Sequence, residues 1–320
     1  MSNQNKETAL VCGGAGFIGS NMCAKLLKQG KGVICIDNLH TGKMSNIQEF
    51  MHNDSFIFVH DSIQKFKFTQ FSKYYNLTEI YNFACPASPP AYQKEPLETL
   101  DTCYIGTKNL LEIALITGAK MFQASTSEVY GNPTEHPQKE TYHGNVNTFG
   151  PRACYDEGKR VAETLCYEYI HQYNVDVKIG RIFNTFGPKM SPNDGRIIPN
   201  LVMQALENKC LTIYGDGTQT RSFQYVDDLL NGIECLMNSN LNEPVNLGTE
   251  CEMTMNDVAK AIMFIVNKPD LKISHLELPK DDPIVRRPDL TIARLIGHTQ
   301  SVHFLDGLKK TIDWFATASS

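Results

Sequence analysis

An apolar run, TALVC, empties into a glycine-rich turn, GGAGFIGS, and that turn opens an amphipathic helix ending at Gly30. Gly13, Gly16 and Gly19 are spaced so that the backbone can turn tightly. Its N–H groups can then approach a pyrophosphate seated on the positive end of the following helix. A second apolar run, GVICID, comes next, so the opening reads strand, helix, strand. Apolar runs recur at 79–84, 119–126 and 176–184, with helical segments at about 96–118 and 153–173. Parallel strands need crossover helices, so the alternation predicts an α/β fold, a doubly wound (Rossmann) parallel sheet with helices on both faces. After GRIFNTFGP the pattern loosens. Residues 1–187 are expected to form the dinucleotide-binding domain and residues 188–320 a smaller C-terminal substrate-binding lobe, with segment 222–247 returning to the main sheet.

At 320 residues such a chain buries roughly 75% of its unfolded surface and needs no disulfide or metal staple. A net charge of −5 gives no basic field for nucleic acid. The polar start lacks a signal peptide's charged and apolar regions, and no stretch reaches the ~18 apolar residues of a membrane span. A cytoplasmic protein without membrane or nucleic-acid partners is expected. Ten cysteines include no C-x-x-C pair, and most sit in apolar runs. They are expected to be buried, reduced thiols rather than metal ligands.

Asp37 closes the second strand eighteen residues after Gly19. A carboxylate there accepts hydrogen bonds from a ribose diol and repels a 2′-phosphate, which favours NAD over NADP. Asp61, at the end of IFVHDSI, is placed to receive the adenine amino group. Tyr155 and Lys159 stand four apart in a helical segment, so they share a face. A free phenol titrates near 10, so a usable phenolate near neutral pH needs roughly 4 kcal/mol of electrostatic help. Lys159 and an oxidised nicotinamide are the expected sources. Thr126, Ser127 and Glu128 end a strand at the edge where doubly wound sheets bind ligands. A hydroxyl there steadies a reacting oxygen, and the Glu128 carboxylate can move a second proton. Arg221 and Arg286, in the later lobe, suit phosphate or carboxylate oxygens.

GGAGFIGS, DNLHTG, NFACPASPP, STSEVYG, GPRACYDEGKRVAET, RIFNTFGPKMSPNDGRII, YGDGTQTRSFQYVDDL, PVNLG and DDPIVRRPD together resemble the extended short-chain dehydrogenase/reductases. Within them the chain is most similar to the UDP-glucuronic acid decarboxylases (UDP-xylose synthases). That resemblance covers about 300 residues. It implies a tightly held NAD that oxidises carbon 4 of UDP-glucuronate, with Tyr155 as base and Lys159 and Thr126 assisting. Loss of carbon dioxide from carbon 5 follows, then return of hydride to give UDP-xylose. It places Ser127 and Glu128 around carbons 5 and 6. It implies cofactor contacts from Phe17, Ile18, Asn38, Thr41, Gly42, Ala84 and Thr102. Asn184, Arg196, Tyr214, Gln219, Arg221 and Arg286 would hold the sugar nucleotide. A homodimer built on segments 96–118 and 153–173 is implied as well.

The rivals are a 4,6-dehydratase or a 4-epimerase on the same scaffold, and a non-catalytic dinucleotide sensor. Related dehydratases carry Asp where Ser127 stands, because they protonate a leaving hydroxyl. Decarboxylation needs no such acid. A sensor would have no use for the Tyr155/Lys159 pair. The chain departs from its relatives at Asp101-Thr102-Cys103, where Lys-Thr-Asn is usual. Lys189 replaces an arginine and His143 a tryptophan. Asp101 would repel an anionic substrate if it faced the site.

Overall fold

Strands buried on both faces must read as nearly continuous apolar runs, and the first half of the chain does. The computed structural model describes residues 6–71, 75–277 and 286–318. Six strands form in sequence: β1 (Glu7–Cys12), β2 (Gly32–Asp37), β3 (Phe56–His60), β4 (Asn76–Asn82), β5 (Lys120–Thr126) and β6 (Val177–Ile182). They pair in parallel in the order β3-β2-β1-β4-β5-β6. The order reverses between β1 and β4. Helices α1 (Phe17–Lys28), α2 (Pro89–Lys94), α3 (Pro96–Asp101), α4 (Thr107–Thr117) and α5 (Ala153–Tyr173) make the β1→β2, β4→β5 and β5→β6 crossovers, and the links on either side of β3 carry only short 3₁₀ turns among the described residues.

Alternation along β1 sorts side chains between two cores. Ala9 and Val11 pack with Met22, Cys23 and Leu26 of α1, whereas Leu10 and Cys12 pack with Leu110, Leu111 and Cys166 from α4 and α5. This is the doubly wound architecture expected from the sequence. The segment expected to be one helix over 96–118 is α3 and α4 joined by a π-helical stretch, Thr102–Gly106. The strand expected over 79–84 starts earlier and stops at Asn82. Phe83 and Ala84 cross over the glycine turn instead, with Phe83 N–H donating to the Cys12 carbonyl at 2.9 Å.

Beyond β6 the elements are short. They are β7 (Thr185–Phe186), α6 (Ile197–Leu206), β8 (Leu211–Tyr214), β9 (Thr220–Ser222), β10 (Gln224–Tyr225), α7 (Val226–Met237), β11 (Val245–Leu247), β12 (Glu252–Thr254), α8 (Met255–Ile265), β13 (Ile273–Leu276), α9 (Thr291–Leu295) and α10 (Phe304–Ala318). Strand β11 pairs in parallel with β6 and becomes the seventh strand of the main sheet. β7–β10, β9–β12 and β8–β13 are small two-stranded pairs beside the carboxyl end of that sheet. Among the described residues no helix is long and apolar enough to cross a membrane.

Candidate active site

The turn after β1 is built around backbone that admits no side chain. Gly13 has φ +71°, and a Cβ on it would lie 2.9 Å from the Ala84 nitrogen. A Cβ on Gly19 would run into the Gly13 carbonyl. The helix start therefore sits tight against the turn, with α1 opening at Phe17. Asp37, at the end of β2, is buried. Its two carboxylate oxygens accept from Ala15 N–H at 2.9 Å and Leu39 N–H at 2.8 Å. Burial raises its pKa, and those amides oppose the rise. Each oxygen keeps a lone pair for an outside donor. A bare glycine cradle at a helix N-terminus, flanked by an oriented carboxylate, fits a dinucleotide pyrophosphate and ribose.

A cavity of about 1160 Å³ runs from this cradle along the carboxyl edge of the sheet. The sequence-derived cofactor residues Gly13, Gly16, Phe17, Ile18, Gly19, Asp37, Asn38, Thr41, Gly42, Asp61, Ala84 and Thr102 line it. So do Thr126, Ser127, Glu128, Tyr155 and Lys159. Asn184, Arg196, Tyr214, Gln219, Arg221 and Arg286 line it as well. Residues as far apart in sequence as Gly13 and Arg286 thus share one space. No cluster of three metal-ligating side chains occurs among the described residues.

Tyr155 and Lys159 project from the first turns of α5. Lys159 Nζ donates to the Ala124 carbonyl at 2.9 Å and lies 5.8 Å from the centre of the Tyr155 ring. Burial pushes the Tyr155 phenol well above its ordinary value, and the Cys85 sulfur adds to this. A hydrogen bond with Thr126 works the other way. The chain alone therefore holds Tyr155 as a protonated phenol. The positive charge that would release its proton has to come partly from outside the chain.

Glu128 begins as a strand-end carboxylate and is clamped by two arginines. Arg286 Nη1 lies 2.6 Å from its Oε1 and Arg152 Nη2 2.7 Å from its Oε2. Burial would raise its pKa, but the Arg286 and Arg152 guanidiniums outweigh that and hold it low. Glu128 is consequently an ionised acceptor. Arg286, expected on a substrate anion, is already engaged with a protein carboxylate. Arg196 is similarly paired with Asp194 (Nη2–Oδ2 2.7 Å). Arg221 is buried, and its Nη1 donates to the Thr220 carbonyl at 2.9 Å.

Sequence reasoning missed two side chains of the site. Arg152 stands three residues before Tyr155, inside a motif that was read only for its Tyr and Lys. Tyr92 stacks on Tyr155 with ring centres 4.9 Å apart and planes 9° apart. Its buried hydroxyl finds no hydrogen-bond partner among the described residues, and it lines the cavity. Both come from chain crossings that spacing does not reveal.

Three departures from the relatives resolve geometrically. Asp101 and His143 are exposed and do not line the cavity, so Asp101 sets no charge against a ligand there. Lys189 does line it, but its ammonium is bound to the Asn46 carbonyl at 2.9 Å and Glu49 at 2.7 Å. The expectation of buried thiols needs correction. All ten cysteines are free, but Cys210 and Cys251 are exposed and Cys85, Cys154 and Cys235 only partly covered. Cys210 and Cys251 flank short edge strands, where the apolar runs are too brief to bury every position. Residues 281–285 of the DDPIVRRPD motif lie outside the described residues.

Residues 10–297 match the family model described as GDP-mannose 4,6 dehydratase. The chain is 46% identical over 317 residues to UDP-glucuronic acid decarboxylase 1 of Xenopus tropicalis, covering 98% of this chain and 73% of that one. Its fold is similar to UDP-glucose 4-epimerase of Thermotoga maritima, solved with UDP-glucose. There the TM-score is 0.89 at 28% identity, over 98% of this chain and 100% of that one. It is also similar to UDP-glucuronic acid 4-epimerase of Bacillus cereus, solved with UDP-glucuronic acid and NAD. That match has a TM-score of 0.85 at 27% identity, over 97% of this chain and 99% of that one.

Proposed function

The chain belongs to the UDP-glucuronic acid decarboxylases of the extended short-chain dehydrogenase/reductases, and we propose that it converts UDP-glucuronate to UDP-xylose through a 4-keto sugar, recycling one bound NAD. The observation that carries this reading is the gathering of a glycine cradle, a Tyr155/Lys159 pair and several arginines around one cavity. NAD would be held by Gly13, Gly16, Phe17, Ile18 and Gly19 at its pyrophosphate and by Asp37, Asn38, Thr41 and Gly42 at its ribose. Asp61 would meet the adenine, with Ala84 and Thr102 along the wall. When bound, the cofactor accepts hydride from carbon 4 and later gives it back. Residues 1–187, with the returning 222–247 segment, form the proposed cofactor half, and 188–320 the sugar-nucleotide half.

Tyr155 takes the carbon-4 hydroxyl proton as general base, with Thr126 holding the same oxygen. Lys159 is placed to favour the phenolate by its charge. Once carbon 4 is a ketone, the carboxyl group is β to it, and the electrons freed as carbon dioxide leaves flow into the ketone oxygen. The donors beside that oxygen then stabilise the enolate. Glu128, held ionised between Arg152 and Arg286, does not donate a proton as a neutral acid. Its part is to orient the two guanidiniums beside carbons 5 and 6. Asn184, Arg196, Tyr214, Gln219 and Arg221 hold the UDP portion. Ser127 carries no carboxyl for expelling a hydroxyl, which favours decarboxylation over dehydration.

A second copy of the chain is the proposed partner. Leu97, Leu100, Tyr104 and Ile105 on α3 and the π stretch, with Val161 and Tyr167 on α5, are large apolar side chains left exposed. Such a patch marks an interaction surface. Ten free cysteines suit a reducing, cytoplasmic compartment. Incubation with UDP-glucuronate tests the reading: carbon dioxide and a UDP-pentose are expected. An inert substrate, a UDP-hexuronate epimer or a dehydrated sugar would overturn it.

A further inference from the structure

Two thiols meet beside the proposed base, and the reaction has no use for either. Cys85 stands in the loop after β4 and lines the cavity. Cys103 is buried in the π stretch between α3 and α4. Their sulfurs are 3.4 Å apart and share a hydrogen bond. Cys103 is wedged in place: a Cβ on Gly158 of α5 would lie 3.2 Å from its sulfur. Cys85 is carried by a loop, is only partly covered and lines the cavity.

We propose that Cys85 and Cys103 are a reversible dithiol that a hydroperoxide closes to a disulfide, arresting turnover at the adjoining site. The hydrogen bond between the sulfurs holds the Cys103 thiol down at about 7, against burial and with help from the Lys159 ammonium. The same bond raises the Cys85 thiol. One shared proton thus leaves a thiolate available near neutral pH. The Cys85 sulfur, the one that lines the cavity, attacks a peroxide oxygen as its proton passes along the hydrogen bond to the Cys103 thiolate, breaking the O–O bond to give a Cys85 sulfenic acid and hydroxide. The second sulfur then attacks the sulfenic sulfur. The S–S bond forms, the S–O bond breaks, and the departing hydroxide takes the second thiol proton. Two thiols lose two electrons, and hydrogen peroxide becomes two waters.

A disulfide needs sulfurs about 2.05 Å apart, so the pair must close by about 1.4 Å. Because α5 backs Cys103, the Cys85 loop moves. That loop leads directly into α2, whose Tyr92 is stacked on Tyr155. A displacement of about 1 Å at a reacting group can cost 10²-fold.

The turnover part of this inference rests on the proposed decarboxylation, but the disulfide part does not. The full chain is treated with hydrogen peroxide at neutral pH, and its peptides are mapped by mass spectrometry before and after dithiothreitol. A Cys85–Cys103 linkage is expected, with turnover of UDP-glucuronate at least tenfold lower and restored by the reductant. Cys103→Ser and Cys85→Ser should each show the same turnover with and without peroxide. Linkage through Cys154, a stable sulfinic acid, or no linkage would overturn the dithiol. A linked enzyme with undiminished turnover would overturn the arrest, as would peroxide sensitivity that persists in both serine variants. A reduced enzyme inert toward UDP-glucuronate would instead remove the decarboxylase reading, and the peptide map would still decide the dithiol.

Discussion

At Tyr155 burial and chemistry pull in opposite directions. As the proposed base the phenol would have to reach a carbon-4 hydroxyl inside the cavity, yet burial there makes its anion costly. Tyr155→Phe removes the proton acceptor and keeps the ring that stacks on Tyr92. Turnover should fall about 10²–10⁴-fold, while NAD and UDP binding measured by calorimetry stay within a few-fold of wild type. Near-normal turnover would remove Tyr155 as the base. The next residue carries a second consequence. Asp156 is buried, and its Oδ1 has no partner among the described residues. Burial first, then the Glu128 charge, push its pKa up to about 7. Between pH ~4 and ~7 the folded chain therefore keeps a proton that the unfolded chain gives up, so stability falls as pH rises through that window. Asp156→Asn, neutral throughout, should come close to wild type near pH 4. It should be more stable near pH 8, on the order of 2–4 kcal/mol. Urea melts at both pH values measure this, and an equal difference at both would refute it.

The elements around the site share one partly buried ion pair. Arg181 of β6 holds Glu163 of α5 with two bonds, of 3.0 and 2.7 Å. It also donates to the Tyr130 hydroxyl at 3.0 Å and the Glu140 carbonyl at 2.9 Å. Ser125, next to Thr126, donates to the same Glu163 at 2.5 Å. This arginine thereby ties β5, β6 and α5 to the turn that carries Glu128. Arg181→Met should cost about 1–3 kcal/mol by leaving a partly buried carboxylate short of donors. Adding Glu163→Leu should recover part of that loss in a denaturation series. No recovery would mean that packing, not charge, sets the cost.

None of that network was legible from spacing, because its members meet only after three elements pack. What periodicity did reveal was the sheet: apolar runs at 119–126 and 176–184 are β5 and β6, less a residue or two at their ends. The π stretch was invisible for a local reason. Its residues have ordinary helical sequence, and packing decides: Gly106 sits so close to Ile63 that an added Cβ would lie 2.6 Å from Ile63 Cγ1. At the candidate site the glycine turn and the Tyr155/Lys159 pair could be found because each obeys a rule along one element. Arg152 and Tyr92 obey none, since they reach Glu128 and Tyr155 across loops.

The whole chain presents one question that its single copy leaves open. Leu97 is 76% exposed and Ile105 43%, on a helix whose opposite side backs the site through Thr102 and Cys103. Leaving such side chains in water forgoes roughly 1.5–3 kcal/mol each, so a second copy packing α3 and α5 against their equivalents is the economical arrangement for a symmetric dimer. A charge on each helix pair would meet its own copy across the two-fold axis and be repelled. Leu97→Glu with Ile105→Glu should therefore give a monomer by sedimentation at micromolar concentration, where the native chain is expected to sediment as a dimer. Because α5 carries Tyr155 and packs on α3 through Gly158, with Leu100 3.7 Å from a Cβ placed there, freeing that face should also lower turnover. A double variant that remains dimeric would exclude this surface as the interface. A fully active monomer would show that the site takes no support from the second copy.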